Sequence, residues 1–122
     1  MASISPTRGN ALVVEDDPGL RMCIADVLAD MGYAVVEAGH ADEALRAVDG
    51  GLAPALLVTD HLMPGMSGSV LAREVVARHP QARVILVSGY SDLSADPGMI
   101  LLAKPFRLQE LRDCVEAAAA PR

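Results

Sequence analysis

Aromatic residues are almost absent from this sequence. They make up 2% of its 122 residues, with one Phe, two Tyr and no Trp. A hydrophobic core must therefore be built from aliphatic side chains, with Met available to fill irregular gaps. Hydrophobic residues still make up 52% of the chain and charged residues 21%, a composition typical of one folded domain and not of a disordered segment.

Cysteine, positive charge and long apolar runs are also scarce. Cys23 and Cys114 are far apart and form no Cys-x-x-Cys motif, which disfavours a disulfide or zinc site and favours a cytoplasmic location. The net charge of −6 disfavours direct nucleic-acid binding. No apolar run approaches the roughly 20 residues of a membrane span. Residues 1–9 lack the apolar segment of a secretion signal, so we expect a short flexible tail.

Apolar runs of strand length alternate with amphipathic segments of helix length along the rest of the chain. The last helix is expected to face Leu108, Leu111 and Val115 inward. Strands that are apolar on both faces and alternate with helices indicate an α/β fold, a doubly wound parallel sheet with helices on both faces. The predicted strands cover residues 11–17, 33–38, 55–60, 82–89 and 99–103, and the predicted helices cover residues 18–32, 40–51, 67–80 and 107–120.

The connection between the fourth and fifth predicted strands is short. Residues 89–98 include Pro97 and Gly98, neither of which extends a helix well. A crossover between parallel strands normally takes about a dozen residues or more, usually with a helix. We therefore expect the helix of this crossover to be a single turn or absent.

Polar side chains follow the predicted strands at one end. The first strand ends at Glu15, Asp16 and Asp17, the third at Asp60 and the fourth at Ser88, and Lys104 follows the fifth. The carboxyl ends of parallel strands meet at one edge of a sheet, where ligands bind. Carboxylates placed together repel one another unless a hard cation such as Mg²⁺ is present. With a hydroxyl and a lysine beside them, such a site suits phosphoryl transfer, in which one carboxylate can be the nucleophile.

At these residues the sequence resembles the response-regulator receiver domain of two-component signalling. The segments LVVEDDP, VTDHLMPGMSG, ILVSG and AKPF match four motif regions of that family in order. The resemblance covers residues 10–119. It implies a receiver domain over residues 10–120 with a flavodoxin-like sheet of five strands in the order 2-1-3-4-5.

The resemblance also implies roles for the residues at the strand ends. Asp60 would be the phosphoacceptor, Lys104 would pair with a phosphoryl oxygen, and Ser88 would hydrogen-bond the phosphoryl group and carry the switch. The Lys104–Pro105 peptide is expected to be cis. The implied ligands of Mg²⁺ are Asp16, Asp60, the backbone carbonyl of Leu62 and, through water, Glu15.

A signalling role rather than an enzyme activity follows from the same resemblance. The domain would take its phosphoryl group from a histidine kinase or histidine phosphotransfer protein and would control a downstream protein, while assisting its own phosphoryl transfer and dephosphorylation. The donor is expected to dock on the loops around Asp60 or on the first helix. Dimerisation through the shortened crossover is not expected. The chain would be either a stand-alone receiver or a piece of a larger protein.

Two positions depart from the family pattern. Leu101 stands where an aromatic switch residue is usual, and Tyr90 is a possible substitute. Leu62 stands where a polar side chain often influences attack by water. Asp17 is expected to cap the first helix and to bind no metal, and His61 is assigned no role.

The phosphoacceptor hypothesis has two alternatives. One is a receiver-like interaction domain that is never phosphorylated, against which the complete set of acids, serine and lysine argues. The other is an aspartyl-phosphate phosphatase of the haloacid dehalogenase type. That family has a second Asp two positions after its nucleophile, where this chain has Leu62.

Overall fold

The computed structural model describes residues 8–89 and 98–120. Residues 90–97, which include Tyr90 and most of the short crossover, and residues 1–7 of the predicted tail lie outside the described residues. The described strands are β1 (Asn10–Val14), β2 (Ala34–Ala38), β3 (Pro54–Asp60), β4 (Arg83–Ser88) and β5 (Met99–Ala103). The described helices are α1 (Pro18–Asp30), α2 (Ala41–Asp49), α3 (Gly68–Arg78) and α4 (Leu108–Ala119).

The strands form one parallel sheet in the order β2-β1-β3-β4-β5, which confirms the predicted fold. Successive strand residues point to opposite faces, so β1 buries Val13 in the core on one face and Leu12 in the core on the other. One core packs beneath α1 and α4, and the second beneath α2 and α3. The central strands are therefore covered on both sides, which is why the residues in the middle of each are apolar.

The helix α4 corrects one sequence prediction. Leu111 and Val115 are fully buried as expected, but Leu108 is 47% exposed. Leu108 is the first residue of the helix, and it lies where the helix begins rather than over the centre of the sheet. No helix in the part of the chain that the structure describes is long and apolar enough to cross a lipid bilayer.

Side-chain caps fix where α1 and α3 begin. Asp17 caps α1, because its Oδ1 accepts hydrogen bonds from the backbone N–H groups of Gly19 at 2.9 Å and Leu20 at 3.4 Å. Ser67 caps α3, with its Oγ accepting from the backbone of Val70 at 3.3 Å. The cap at Asp17 confirms the sequence prediction. By fixing the first residue of α1 and α3, these caps determine the length of the connections from β1 to α1 and from β3 to α3.

A close backbone approach joins the start of α3 to the end of β3. A Cβ atom on Gly68 would lie 2.1 Å from the carbonyl oxygen of Asp60 and 2.9 Å from the Cα of His61. Both neighbours are backbone atoms, so they cannot rotate out of the way. Only glycine fits here without moving the chain around Asp60.

We expect Gly68→Ala to lower the free energy of unfolding by roughly 1–3 kcal/mol, the usual range for overpacking. The measurement is urea denaturation followed by circular dichroism. Gly19→Ala is the matched control near the start of another helix, since its Cβ would meet Asp17 at 3.5 Å, an ordinary contact. Equal effects of the two substitutions would contradict the steric argument.

Candidate functional site

Three carboxylates and one lysine meet at the carboxyl edge of the sheet. Oxygen atoms of Glu15, Asp16 and Asp60 all lie within 4.8 Å of one another. The Nζ atom of Lys104 is 3.3 Å from Glu15 Oε1 and 3.3 Å from Asp60 Oδ1. The structure thus brings together four of the residues that the sequence singled out, from β1, β3 and the segment after β5.

Burial sets the electrostatics of this cluster. Glu15 is 2% exposed and Asp60 is 7% exposed, whereas Asp16 faces solvent. Burial raises the pKa of Glu15, and the neighbouring Asp16 and Asp60 raise it further, against a hydrogen bond from the Asp17 backbone and the charge of Lys104. Burial by itself lowers the pKa of Lys104, but the carboxylates of Glu15 and Asp60 outweigh it, so that pKa lies above its ordinary value. The cluster therefore carries more negative charge than its lysine balances.

The donor set fits a hard divalent cation. All three groups are carboxylates, and their oxygens are close enough to reach one ion. A cation would also relieve the repulsion that raises the pKa of Glu15. Carboxylate oxygens without sulfur or imidazole favour Mg²⁺ over zinc.

Two hydrogen bonds hold Glu15 in place. Glu15 Oε2 accepts a hydrogen bond from the backbone of Asp17 at 3.1 Å. Arg21 donates through Nη1 to the carbonyl oxygen of Glu15 at 2.9 Å, and its Nε lies 3.4 Å from Glu37 Oε1. The sequence analysis missed Arg21. A signal existed, because a basic residue near the start of a helix opposes the helix dipole and therefore indicates an acidic or carbonyl partner.

The remaining predicted site residues lie on the adjacent strand ends and loops. Ser88 ends β4 with 3% exposure, and its carbonyl accepts a hydrogen bond from the Lys104 backbone at 2.8 Å. The Lys104–Pro105 peptide is cis, as the resemblance implied. Leu62 lies in the loop after β3 with 55% exposure, and the roles of its carbonyl and of the Ser88 hydroxyl stay predictions. His61, which was assigned no role from the sequence, makes a hydrogen bond through Nδ1 to Ser69 Oγ at 3.2 Å.

The comparisons with known proteins agree with this geometry. The family described as response regulator receiver domain matches residues 11–116. The chain is 38% identical over 113 residues to the sensor kinase CckA of Brucella abortus, covering 86% of this chain and 12% of that protein. It is 33% identical over 117 residues to the DNA-binding transcriptional regulator NtrC of Salmonella typhimurium, covering 91% of this chain and 25% of that protein. The chain thus spans a quarter or less of these relatives.

Two solved structures are similar over nearly the whole chain. The receiver domain from the hybrid histidine kinase CckA has a TM-score of 0.79 and 32% identity, covering 92% of this chain and 100% of that one. The response regulator TrrA from Thermotoga maritima, solved in complex with Mg²⁺ and BeF, has a TM-score of 0.76 and 32% identity, covering 92% and 99%.

We expect Mg²⁺ to stabilise this chain through the acidic cluster. At a tenfold excess over the dissociation constant, binding to the folded state alone adds about 1.4 kcal/mol to the free energy of unfolding. Asp16→Asn should remove most of this gain, measured as the rise in Tm on adding MgCl₂ to EDTA-treated protein. Asp17→Asn is the matched control, since Asn also caps helices well. Loss of the gain in Asp17→Asn, or its survival in Asp16→Asn, would contradict this assignment.

Proposed function

The chain belongs to the family of response regulator receiver domains of two-component signalling, and from that membership we propose that Asp60 accepts a phosphoryl group from the phosphohistidine of a histidine kinase or histidine phosphotransfer protein. The observation that supports this most directly is the position of Lys104, 3.3 Å from carboxylate oxygens of both Glu15 and Asp60. From that position the lysine would pair with an oxygen of a group bound to Asp60.

The proposed transfer exchanges one bond to phosphorus for another. An oxygen of the Asp60 carboxylate bonds to phosphorus while the bond from phosphorus to the donor's imidazole nitrogen breaks, and the electron pair of that bond stays on the nitrogen. Positive charge must face the phosphoryl oxygens during this exchange. Lys104 supplies it from the protein, and bound Mg²⁺ would neutralise the same oxygens.

The other site residues complete the proposal. The Ser88 hydroxyl would hydrogen-bond the phosphoryl group from the end of β4, which is the strand paired with both β3 and β5. The proposed receiver domain covers residues 10–120. The Mg²⁺ would be held by Asp16, Asp60 and the carbonyl of Leu62, with Glu15 acting through water.

An apolar depression beside the site offers a place for the donor to dock. It has a volume of about 520 Å³ and borders Lys104. Its other lining residues are Leu20, Cys23, Pro105, Phe106 and Leu108. A contiguous apolar patch on a protein surface often marks a site of interaction with another protein. We propose that a helical surface of the kinase or phosphotransfer protein covers these residues, which places its histidine near Asp60.

The proposed role is signalling in the cytoplasm, with a protein as the downstream target and no direct contact with nucleic acid or membrane. An unphosphorylated interaction domain would have no need to bury the carboxylates of Glu15 and Asp60 side by side, since buried charges are costly. A haloacid dehalogenase-type phosphatase would need an acid where Leu62 stands.

We expect Asp60 to be the site of phosphorylation and Mg²⁺ to be required. Incubation with acetyl phosphate and MgCl₂ should add one phosphoryl mass to the wild-type protein, measured by intact mass spectrometry. Asp60→Asn should gain no such mass, because an amide oxygen is a far weaker nucleophile than a carboxylate. EDTA should prevent the gain in the wild type. A full adduct on Asp60→Asn would assign the acceptor to another residue.

We expect water to attack the acyl phosphate slowly, because Leu62 cannot orient a water molecule and its exposed side chain shields the phosphorus. Leu62→Asn should then shorten the half-life of the phosphorylated protein severalfold after removal of acetyl phosphate. Met22→Gln, which places an amide at another exposed apolar position, on α1, should keep the wild-type half-life. An unchanged or longer half-life in Leu62→Asn would exclude the shielding role.

A further inference from the structure

The loop between β3 and α3 is closed at its base by three contacts. The backbone N–H of Gly68 donates to the carbonyl of His61 at 2.9 Å. Gly68 also approaches the Asp60 peptide so closely that no Cβ fits between them. The third contact joins two side chains, His61 Nδ1 and Ser69 Oγ, at 3.2 Å in a partly buried position.

Three groups of His61 make hydrogen bonds: its backbone N–H, its carbonyl and its ring. Its backbone N–H donates to the carbonyl of Val87 at 2.8 Å, which continues the pairing with β4 one residue beyond β3. Its carbonyl accepts from Gly68, and its ring is bound to Ser69. A residue restrained through its N–H, its carbonyl and its side chain has little freedom to change its backbone torsions, so it also limits the direction of the next peptide.

The next residue is Leu62, whose carbonyl is a proposed ligand of the cation. Its side chain is 55% exposed and gives it little anchorage of its own. Met63, one position further, is 9% exposed and packs in the core under α2 and α3. The Leu62 carbonyl thus lies between two anchors, the buried Met63 and the hydrogen-bonded His61.

We propose that His61 and Ser69 are a pair of positioning residues, whose hydrogen bond orders the backbone after Asp60 and thereby raises the affinity of the acidic cluster for Mg²⁺. The inference rests on the proposed function, since it concerns the same cation. In this proposal neither side chain is a ligand of the cation or a partner of the phosphoryl group. Their effect passes through the backbone of residues 61 and 62.

The start of α3 offers a matched control. Ser67 lies two positions before Ser69, and its hydroxyl caps the helix by accepting from Val70. Ser67→Ala should destabilise the helix through loss of the cap while leaving the bond between His61 and Ser69 in place. Ser69→Ala removes that bond and leaves the cap. The two variants separate a general loss of stability from a specific loss of positioning.

The test measures the Mg²⁺ dissociation constant by calorimetry and the Mg²⁺ dependence of phosphorylation by acetyl phosphate. Ser69→Ala and His61→Ala should each raise the dissociation constant about fivefold, the effect of one neutral hydrogen bond. The double variant should be no weaker than either single variant, because the bond is lost once. Saturating Mg²⁺ should restore most of the phosphorylation rate.

Replacement of the histidine ring tests the geometry. Asn places a polar atom where Nδ1 lies, so His61→Asn should keep a dissociation constant close to that of the wild type. Gln carries its amide one carbon further out, so His61→Gln should behave like His61→Ala. Ser67→Ala should lower Tm and leave the dissociation constant unchanged.

The outcomes distinguish this inference from the function on which it rests. If the wild type binds no Mg²⁺, both are overturned. If the wild type binds Mg²⁺ and Ser69→Ala binds it equally well, or Ser67→Ala weakens binding as much as Ser69→Ala does, the positioning role is overturned and the proposed phosphoacceptor function stands.

Discussion

Three carboxylates share one end of a parallel sheet, and their mutual repulsion is the constraint that organises the residues around them. Glu15 and Asp60 are nearly buried, so water screens their charges poorly and each interaction is stronger than it would be at the surface. Lys104 offsets part of this repulsion by contacting both. The lysine thereby links β1, β3 and the segment after β5 at the point where the cation and the phosphoryl group are proposed to bind.

The sheet order explains how one side chain can make this link. β4 lies between β3 and β5, so Lys104 has to reach across the end of a strand to meet Asp60. The carbonyl of Ser88 fixes the backbone of Lys104 at that strand end, and the long aliphatic stem of the lysine covers the remaining distance. The same pairing keeps Ser88 beside the lysine, so three of the proposed functional side chains depend on the register of β4 with its neighbours.

Most of the fold and the position of the site follow from patterns that are local in sequence. Apolar runs, helical periodicity and the cap at Asp17 each involve a few consecutive residues, so they could be predicted. Leu108 was predicted wrongly, because periodicity gives the face of a helix but not how far its first turn extends beyond the sheet. The helix position of Arg21 indicates that it needs an acidic or carbonyl partner, but not which one. That partner, the Glu15 carbonyl, and the contact of His61 with Ser69 depend on how loops fold back, for which composition and spacing give no rule.

The charged groups of the site differ in how tightly the sheet holds them. This difference influences how a change at Asp60 would be transmitted to the protein surface. Glu15 follows β1 and Asp60 ends β3, and each of these strands pairs with a neighbour on both sides. Both acids are buried. Lys104 follows β5, an edge strand, and its side chain is 31% exposed. A shift of β5 disturbs hydrogen bonds to one neighbouring strand, whereas a shift of β1 or β3 disturbs hydrogen bonds to two. When the charge on Asp60 changes, the adjustment of least cost is therefore at Lys104 and β5. Since α4 packs against β4 and β5, that adjustment would reach the surface through α4 rather than through the helices on the opposite face.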